Sequence, residues 1–402
     1  MSDLLLTGIG HLTTNVGEPI RNAAVAIMDG SIAYAGPESD APLQREANRL
    51  DCDGRAVLPG FVDAHTHVVF AGDRSDEFAR RMAGESYGAI AAAGGGILAT
   101  VEATRAATEH DLFEQASARV WRMIRAGTTT IEVKSGYGLE TEAELRLLRV
   151  ARRLGAQLPI DVKTTFLGAH TVPPEFSEDR DGYIERVTTE MIPAAADLAD
   201  YCDVFVEEGV FSVDEARAIL AIAQEYELPA RVHAEQLGHT GGARLASEIG
   251  AASADHLDHA TAEDAAVLAA AGVSAVLVPG ASHMLRSQHA PASVLMEAGC
   301  NIALATDCNP GTSYLESMHL VISLAVVEMG LTVEQAVAAA TLGGSRALGL
   351  DDRGAVAPGM LGDLVVLDAP TPAHIAYRPA TPLTWATIKR GELLSSVVEP
   401  ER

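Results

Sequence analysis

Pro59-Gly60-Phe61-Val62-Asp63-Ala64-His65-Thr66-His67-Val68-Val69-Phe70 is the stretch on which the fold turns. A short apolar run opening after Pro-Gly reads as a strand, and its far end carries two histidines. Side chains alternate across a strand, so His65 and His67 share one face while Thr66 points away. Two imidazoles at one strand end can share a metal ion. A lone His-x-His says little in a chain with 13 histidines, so the question is whether other strands end in the same way.

They do. Short β-type runs begin near Phe61, Thr128, Ile160, Cys202, Arg231, Ser253, Ser274 and Asn301, each followed by an amphipathic helical stretch. That is the pattern of a parallel sheet with crossover helices, and such units spread over about 250 residues match a closed (β/α)₈ barrel in size. Catalytic groups in such a barrel stand at the C-terminal strand ends. The third run ends in His170, the fifth in His233, the sixth in His256 and the eighth in Asp307. Capping boxes mark helix starts at Thr108–Asp111, Ser212–Glu215, Thr261–Asp264 and Thr332–Gln335. The first helix is expected to run through Leu112, Ala116, Val120 and Ile124 and to stop at Gly127. The long connection from Val69 to Gly127 leaves room for an extra loop over the barrel mouth.

Both ends of the chain read differently. Asp29-Gly30 between two apolar runs is a hairpin signal, and Gly362-Asp363 leads into another run, Leu364 to Leu367. Residues 1–58 and 355–402 are expected to form one composite β-sandwich domain, with residues 59–354 as the catalytic barrel.

The chain has 402 residues and a formal charge of −26, from 55 acidic and 29 basic residues. This argues against nucleic acid or an anionic membrane as a partner. Met1 to Leu12 lacks a basic stretch followed by an apolar one, and apolar runs such as Leu320 to Val327 are too short to span a bilayer. A soluble, cytoplasmic protein is expected. Cys52, Cys202, Cys300 and Cys308 form no Cys-x-x-Cys, which suggests neither disulfides nor a thiolate site.

His65, His67, a further histidine and a carboxylate from distant strands would make a site suited to zinc or iron with an open position. A metal there lowers the pKa of a bound water to about 7 and polarises a carbonyl. Asp307 could accept the water proton, and His256 could hold the water or stabilise the oxyanion.

These residues closely resemble those of the imidazolonepropionases of the amidohydrolase superfamily, enzymes of histidine degradation. The resemblance covers Pro59 to Phe70, Gly94-Gly95-Gly96-Ile97, Glu132 to Gly138, Phe166 to His170, His233 to Gln236, Ser253 to Leu257 and Thr306 to Gly311. It implies hydrolysis of 4-imidazolone-5-propanoate to N-formimidoyl-L-glutamate by a homodimer holding one Zn²⁺ or Fe³⁺ per subunit. By the same resemblance His65, His67, His233 and Asp307 bind the ion, while Arg74, with Tyr87 and Tyr137, pairs with the propionate carboxylate. A planar Arg fork suits that task. His170, Gln236, Asn309, Gly311 and Thr312 are expected to contact the ring or the opened product, and Asp307, His256 and Gln236 to serve the chemistry. Some family members carry Glu where this chain has Gln236. Gln cannot act as a base, so the base role moves to Asp307.

Other features read more simply. Gly94-Gly95-Gly96 lacks a following Gly-Lys-Ser/Thr and reads as a mouth loop. Lys163 as a carboxylated bridge between two metals, and Glu207 or Glu208 as ligands of a second, are minor alternatives. His259 reads as a helix-start or supporting residue, and Cys308 as a small buried one. Two rival functions stand beside the main one. A mononuclear-metal heterocycle deaminase would share the ligands but has no use for Arg74 with Tyr87 and Tyr137, and a non-catalytic relative would typically have lost ligands.

Overall fold

The computed structural model of the chain describes residues 3–42, 48–85 and 95–396. Its centre is a sheet of eight parallel strands in sequence order: β1 (Phe61–Asp63), β2 (Thr128–Lys134), β3 (Asp161–Ala169), β4 (Tyr201–Val206), β5 (Ala230–Ala234), β6 (Ser253–His256), β7 (Ser274–Leu277) and β8 (Ile302–Leu304). Every strand starts within one residue of the run read from the sequence. All four capping boxes form, with side chain and backbone satisfying each other at Thr108, Ser212, Thr261 and Thr332.

The sheet order ends at β1 and β8, and the ring is joined beyond their C-terminal ends. There Asp307 N donates to His65 O at 3.0 Å and His67 N donates to Cys308 O at 3.1 Å. Lower in the seam, backbone replaces side chain. A Cβ on Gly343 would stand 2.0 Å from Ile302 O in β8, and one on Gly344 would stand 2.3 Å from Val62 O in β1. The pair of glycines lets a helical turn lie directly on both edge strands.

The connection after β1 is more helical than the sequence suggested. Helices Ser75–Met82 and Ile97–Ala106 precede Glu109–Arg125, so the helix expected first is the third among the described residues. Ser75–Met82 is only eight residues long and buries none of them, although Phe78 and Met82 stand one turn apart on the same face. Gly94 of the expected mouth loop lies outside the described residues, while Gly96, at φ 80°, stands just before the second of these helices. Leu112, Ala116, Val120 and Ile124 are fully buried along the third. It ends at Gly127, where φ is 98° and a Cβ would meet Val365 at 2.6 Å.

Two further sheets pack beside the barrel. One comprises Leu4–Ile9, Ala23–Met28, Ser31–Pro37 and Asn48–Asp51. Asp29-Gly30 makes its hairpin, with φ of 49° and 79°. The other joins His11–Leu12 and Ala56–Pro59 to Leu364–Leu367, Thr384–Lys389 and Glu392–Ser396, so strands from both ends of the chain share it. Alternate residues of this shared sheet face opposite ways. Val57, Leu364, Val366, Ala386 and Ile388 pack with Leu6, Val25 and Ile27 of the other sheet, whereas Leu58, Val365 and Leu367 join the barrel core.

Ion pairs tie the shared sheet to the barrel floor. Asp161, which opens β3, meets Arg353 Nη1 at 2.5 Å, Lys389 Nζ at 2.7 Å and Arg390 Nη2 at 3.0 Å. Burial would raise its carboxyl, but Lys389, Arg353 and Arg390 outweigh that and hold it below the ordinary value. No helix among the described residues is long and apolar enough to cross a membrane.

The seam makes a prediction. Gly343→Ala forces a methyl into backbone, which should cost about 1–3 kcal/mol or more of unfolding free energy. Gly17→Ala, with nothing within 4 Å of the added carbon, should stay within about 0.5 kcal/mol of the parent. Urea denaturation of both variants checks this; equal stability would show that the seam yields.

Candidate active site

Five imidazoles and a carboxylate meet at the C-terminal end of the barrel. His65 and His67 follow β1, His170 follows β3, His233 lies in β5, His256 ends β6 and Asp307 follows β8. The His65 ring lies 4.5 Å from that of His233 and 5.2 Å from those of His67 and His256. His67 stacks on His170 at 5.3 Å, 17° from parallel. Asp307 Oδ1 lies 3.4 Å from His65 Nε2 and 3.6 Å from His67 Nε2. One ligand atom from each of His65, His67 and His233 falls within 4.8 Å of the others, and so does one from each of His65, His256 and Asp307. The chain bends out of strand geometry at these residues, with φ of 54° at Glu235, 77° at His256 and 51° at Asp307. Left-handed backbone at non-glycine residues is costly and gathers at functional sites.

The donor set fits a metal ion. His65 Nε2, His67 Nδ1, His233 Nδ1 and His256 Nδ1 are buried and have no hydrogen-bond partner among the described residues. Orphaned buried nitrogens cost free energy unless something accepts their lone pairs or protons. Burial lowers the basicity of His65, helped by Lys134 and His233, and that of His67, helped by His65 and His170. Burial likewise takes His170 down to about 3. Burial thus holds His65, His67 and His170 towards the neutral form, the one that ligates metals. Burial drives the Asp307 carboxyl well up, a shift that a cation beside it would reverse.

Below the histidines lies a fully buried ion network. Lys134 Nζ reaches Glu132 at 2.8 Å, Asp203 at 2.7 Å and Asp255 at 3.3 Å. Arg231 adds a contact to Asp255 at 3.3 Å and donates to Ala64 O at 2.9 Å. Two of these acids reach up to the cage. Asp255 accepts from His65 Nδ1 at 2.6 Å, which leaves Nε2 facing the other histidines. Asp203 accepts from His233 N at 3.2 Å and stands 3.0 Å from His233 Nδ1, off the line of a hydrogen bond. Burial opposes ionisation of Asp203 and Asp255, yet His233 and Lys134 for the first, and Arg231 and Lys134 for the second, hold both below the usual carboxylate range.

A pocket wall rises from the neighbouring loops. Tyr137 lies 5.7 Å from the His67 ring and 5.4 Å from that of His170. Arg74 is nearly buried, and its Nη1 would stand 2.5 Å from a Cβ on Gly311, so a side chain there would have to push the guanidinium aside. Its fork is engaged by Glu77: Nε donates to Oε2 at 3.0 Å and Nη2 to Oε1. Asn309 spends its amide on its own loop, donating to Asp307 O at 2.7 Å and accepting from Gly311 N and Thr312 N at 2.8 Å. Gln236 is buried just past β5. Tyr87 lies outside the described residues.

The minor alternatives resolve. Lys163 sits near the start of β3 and pairs with Asp200 at 3.1 Å, at the opposite end from the histidines. Glu207 accepts from Leu237 N at 2.8 Å and Glu208 N at 3.1 Å, which is loop support. His259 contacts Gln288 at 3.1 Å. Cys308 is buried, and all four cysteines are free.

The family model for the Amidohydrolase family matches residues 56–394. An imidazolonepropionase from Mycolicibacterium smegmatis is 47% identical, with 98% of each chain covered. One from Salinispora arenicola is 48% identical over 97% of this chain and 98% of that one. The chain belongs to the imidazolonepropionase family of amidohydrolases. Among solved structures, a 5-methylcytosine deaminase from Klebsiella pneumoniae matches this imidazolonepropionase-family chain with a TM-score of 0.77 at 18% identity, covering 99% of both chains. An adenosine deaminase from Xanthomonas campestris matches with a TM-score of 0.73 at 21% identity over 98% of this chain and 92% of that one. At such identities the likeness is one of fold. Metal-dependent chemistry is in keeping with the family and with the clustered donors.

Sequence reading assigned no role to Glu132, Lys134, Asp203, Arg231 or Asp255. The signal was present: Glu132 and Lys134, like Arg231 and His233, are charged or polar two apart in strands whose neighbours are apolar, and such residues share one face. Charges inside a parallel barrel must pair. Replacing Lys134 with Met, which leaves buried carboxylates short of a cation, should lower the unfolding free energy by about 3–5 kcal/mol. Lys163→Met breaks a half-exposed pair and should cost less than about 1 kcal/mol. Chemical denaturation compares the two; equal small losses would remove the network from its place in stability.

Proposed function

We propose that this chain hydrolyses 4-imidazolone-5-propanoate to N-formimidoyl-L-glutamate. The observation that carries the reading is a histidine and aspartate cage at the barrel mouth with a guanidinium, Arg74, seated against Gly311 at its rim. Near-full-length relatives named imidazolonepropionase support the choice of substrate.

His65, His67, His233 and Asp307 would hold one zinc or iron ion. When bound, such an ion supplies Lewis acidity at the ring carbonyl and makes water a stronger nucleophile at neutral pH. The water oxygen adds to the ring carbonyl carbon, the C–N bond breaks, and the nitrogen leaves with a proton. Asp307 is the group for that proton, taking it from the water and handing it to the departing nitrogen. Gln236 can donate or accept a hydrogen bond but cannot take up a proton. His256, held in strained backbone over the cage, is placed to stabilise the developing oxyanion. His170 donates from Nδ1 to Gly136 O at 2.9 Å, so its Nε2 is an acceptor for a ring N–H. Arg74, with Tyr137 and Tyr87, takes the propionate carboxylate, which must share or displace Glu77.

A heterocycle deaminase would use the same cage, but a nucleobase offers Arg74 no carboxylate. Substrate loss followed spectrophotometrically, with cytosine and guanine alongside, separates the two readings. A charge-assisted hydrogen bond is worth roughly 1.5–3 kcal/mol, so Arg74→Ala should lower kcat/KM by about ten- to a hundredfold. Arg74→Lys should recover part of it, with metal content unchanged in both. Wild-type efficiency in Arg74→Ala would overturn the substrate pose. Metal analysis should find about one ion per chain, with activity lost on chelation; two bridged ions would overturn the mononuclear site.

A further inference from the structure

Glu144 lies in the fourth helix of the described chain, Thr141–Gln157, and has no role assigned above in binding substrate or metal. It is fully buried, and its carboxylate accepts from three backbone N–H groups. Oε1 accepts from Gly138 N and Leu139 N at 2.7 Å, and Oε2 accepts from Gly136 N at 2.8 Å. All of these donors belong to one loop, Ser135-Gly136-Tyr137-Gly138-Leu139, which leaves β2 at the barrel mouth.

That loop cannot hold its shape unaided. Gly136 has φ of 104° and Leu139 has φ of 52°, both in the left-handed region, and left-handed Leu is costly. Its glycines are pressed on both sides: a Cβ on Gly136 would lie 2.9 Å from His170 Nδ1, and one on Gly138 would lie 2.6 Å from Glu144 N. The loop turns three backbone N–H groups inward, where a buried carboxylate near a helix N-terminus can accept them. Doing so fixes two things at the substrate pocket. Tyr137 is set against His67 and His170. Gly136 O is aimed at His170 Nδ1, 2.9 Å away; a carbonyl only accepts, so this contact puts the proton on Nδ1 and leaves Nε2 as the acceptor.

We propose that Glu144 is a positioning residue for the reaction, pinning the 135–139 loop so that Tyr137 and the Nδ1-protonated form of His170 are ready for the substrate. The proposal rests on the reading of Tyr137 and His170 as substrate contacts. Glu144→Gln keeps the size but turns an amide N–H₂ towards backbone donors, so the loop loses at least one anchor. The expected result is a fall in kcat/KM of about tenfold or more, carried mainly by KM, with metal content unchanged.

A double-mutant cycle with Tyr137→Phe tells positioning from general weakening. If Glu144 acts through the loop, Glu144→Gln should cost much less in the Tyr137→Phe background than in the parent. Nitrogen-15 spectra of histidine-labelled protein should also show that the His170 Nδ1–H population shrinks in Glu144→Gln. Full efficiency in Glu144→Gln, or losses that multiply independently with an unchanged His170 tautomer, would overturn the proposal. If Glu144→Gln does not fold, Glu144→Asp, which shortens the reach of the carboxylate to the same three N–H groups, takes its place, and the cycle and spectra are run on it with the same expected signs. Should Tyr137→Phe alone keep wild-type efficiency, the substrate reading of that residue fails, while the His170 tautomer still tests the role of Glu144.

Discussion

Three carboxylates buried in one barrel are tolerable only because the ammonium of Lys134 sits among them. Glu132, Asp203 and Asp255 converge on it, and Arg231 closes the group from the next strand. With all five ionised the set carries one net negative charge directly below the histidine cage. Most of the site's order follows from this. Asp255 sets the His65 ring, Asp203 sets the start of the His233 turn, and Thr66 and Thr165 are drawn in as donors to Glu132. An ion bound above would find imidazole nitrogens, a carboxylate and a negative floor, so the same charges that order the ligands also favour the cation.

The barrel accommodates this polar centre by moving its apolar packing outward. Strand residues facing the helices, with Leu112, Val120, Leu147, Ile219 and their neighbours, form the main hydrophobic core. Inside the ring, the ions and hydrogen bonds take the side of β2, β4, β5 and β6, and a small apolar cluster of Val62, Val276, Ala303, Ala347 and Leu348 takes the side of β7, β8 and β1. The seam between β1 and β8 fits the same logic. Its upper part is tied by backbone bonds at His65, His67, Asp307 and Cys308, which are the residues of the cage and their immediate neighbours. Closure of the ring and assembly of the ligands are therefore one event, and Gly343 and Gly344 complete the closure below.

Much of this was legible in the sequence. Parallel strands announce themselves by apolar runs, and their ends by polar residues, so all eight strands, the four capping boxes and the cage members were placed before any coordinates. The Asp29-Gly30 hairpin was readable because its backbone needs positive φ at both positions. What escaped notice has physical reasons. Helix Ser75–Met82 is short and sets only Phe78, Ala79 and Met82 among charged and polar residues, too little apolar sequence to announce a helix. Arg74 was read as a free fork for a substrate carboxylate, but Glu77, three residues on, already fills it, a local pairing that helical spacing could have revealed. Nothing in the sequence singles out the carboxylate of Glu144, because its partners are backbone groups, which leave no mark there.

The three lysines of the chain also have an outcome beyond folding. Lys134 is sealed in the barrel and Lys389 is held by Asp161 and Asp363, so Lys163, with about a third of its side chain in water, is the one lysine open to reagents. It stands near the start of β3, seven residues before His170, or roughly 23 Å along an extended strand. Coupling through side-chain amines would therefore graft the protein to a support by a single point on the barrel floor, with the mouth turned outward to solution.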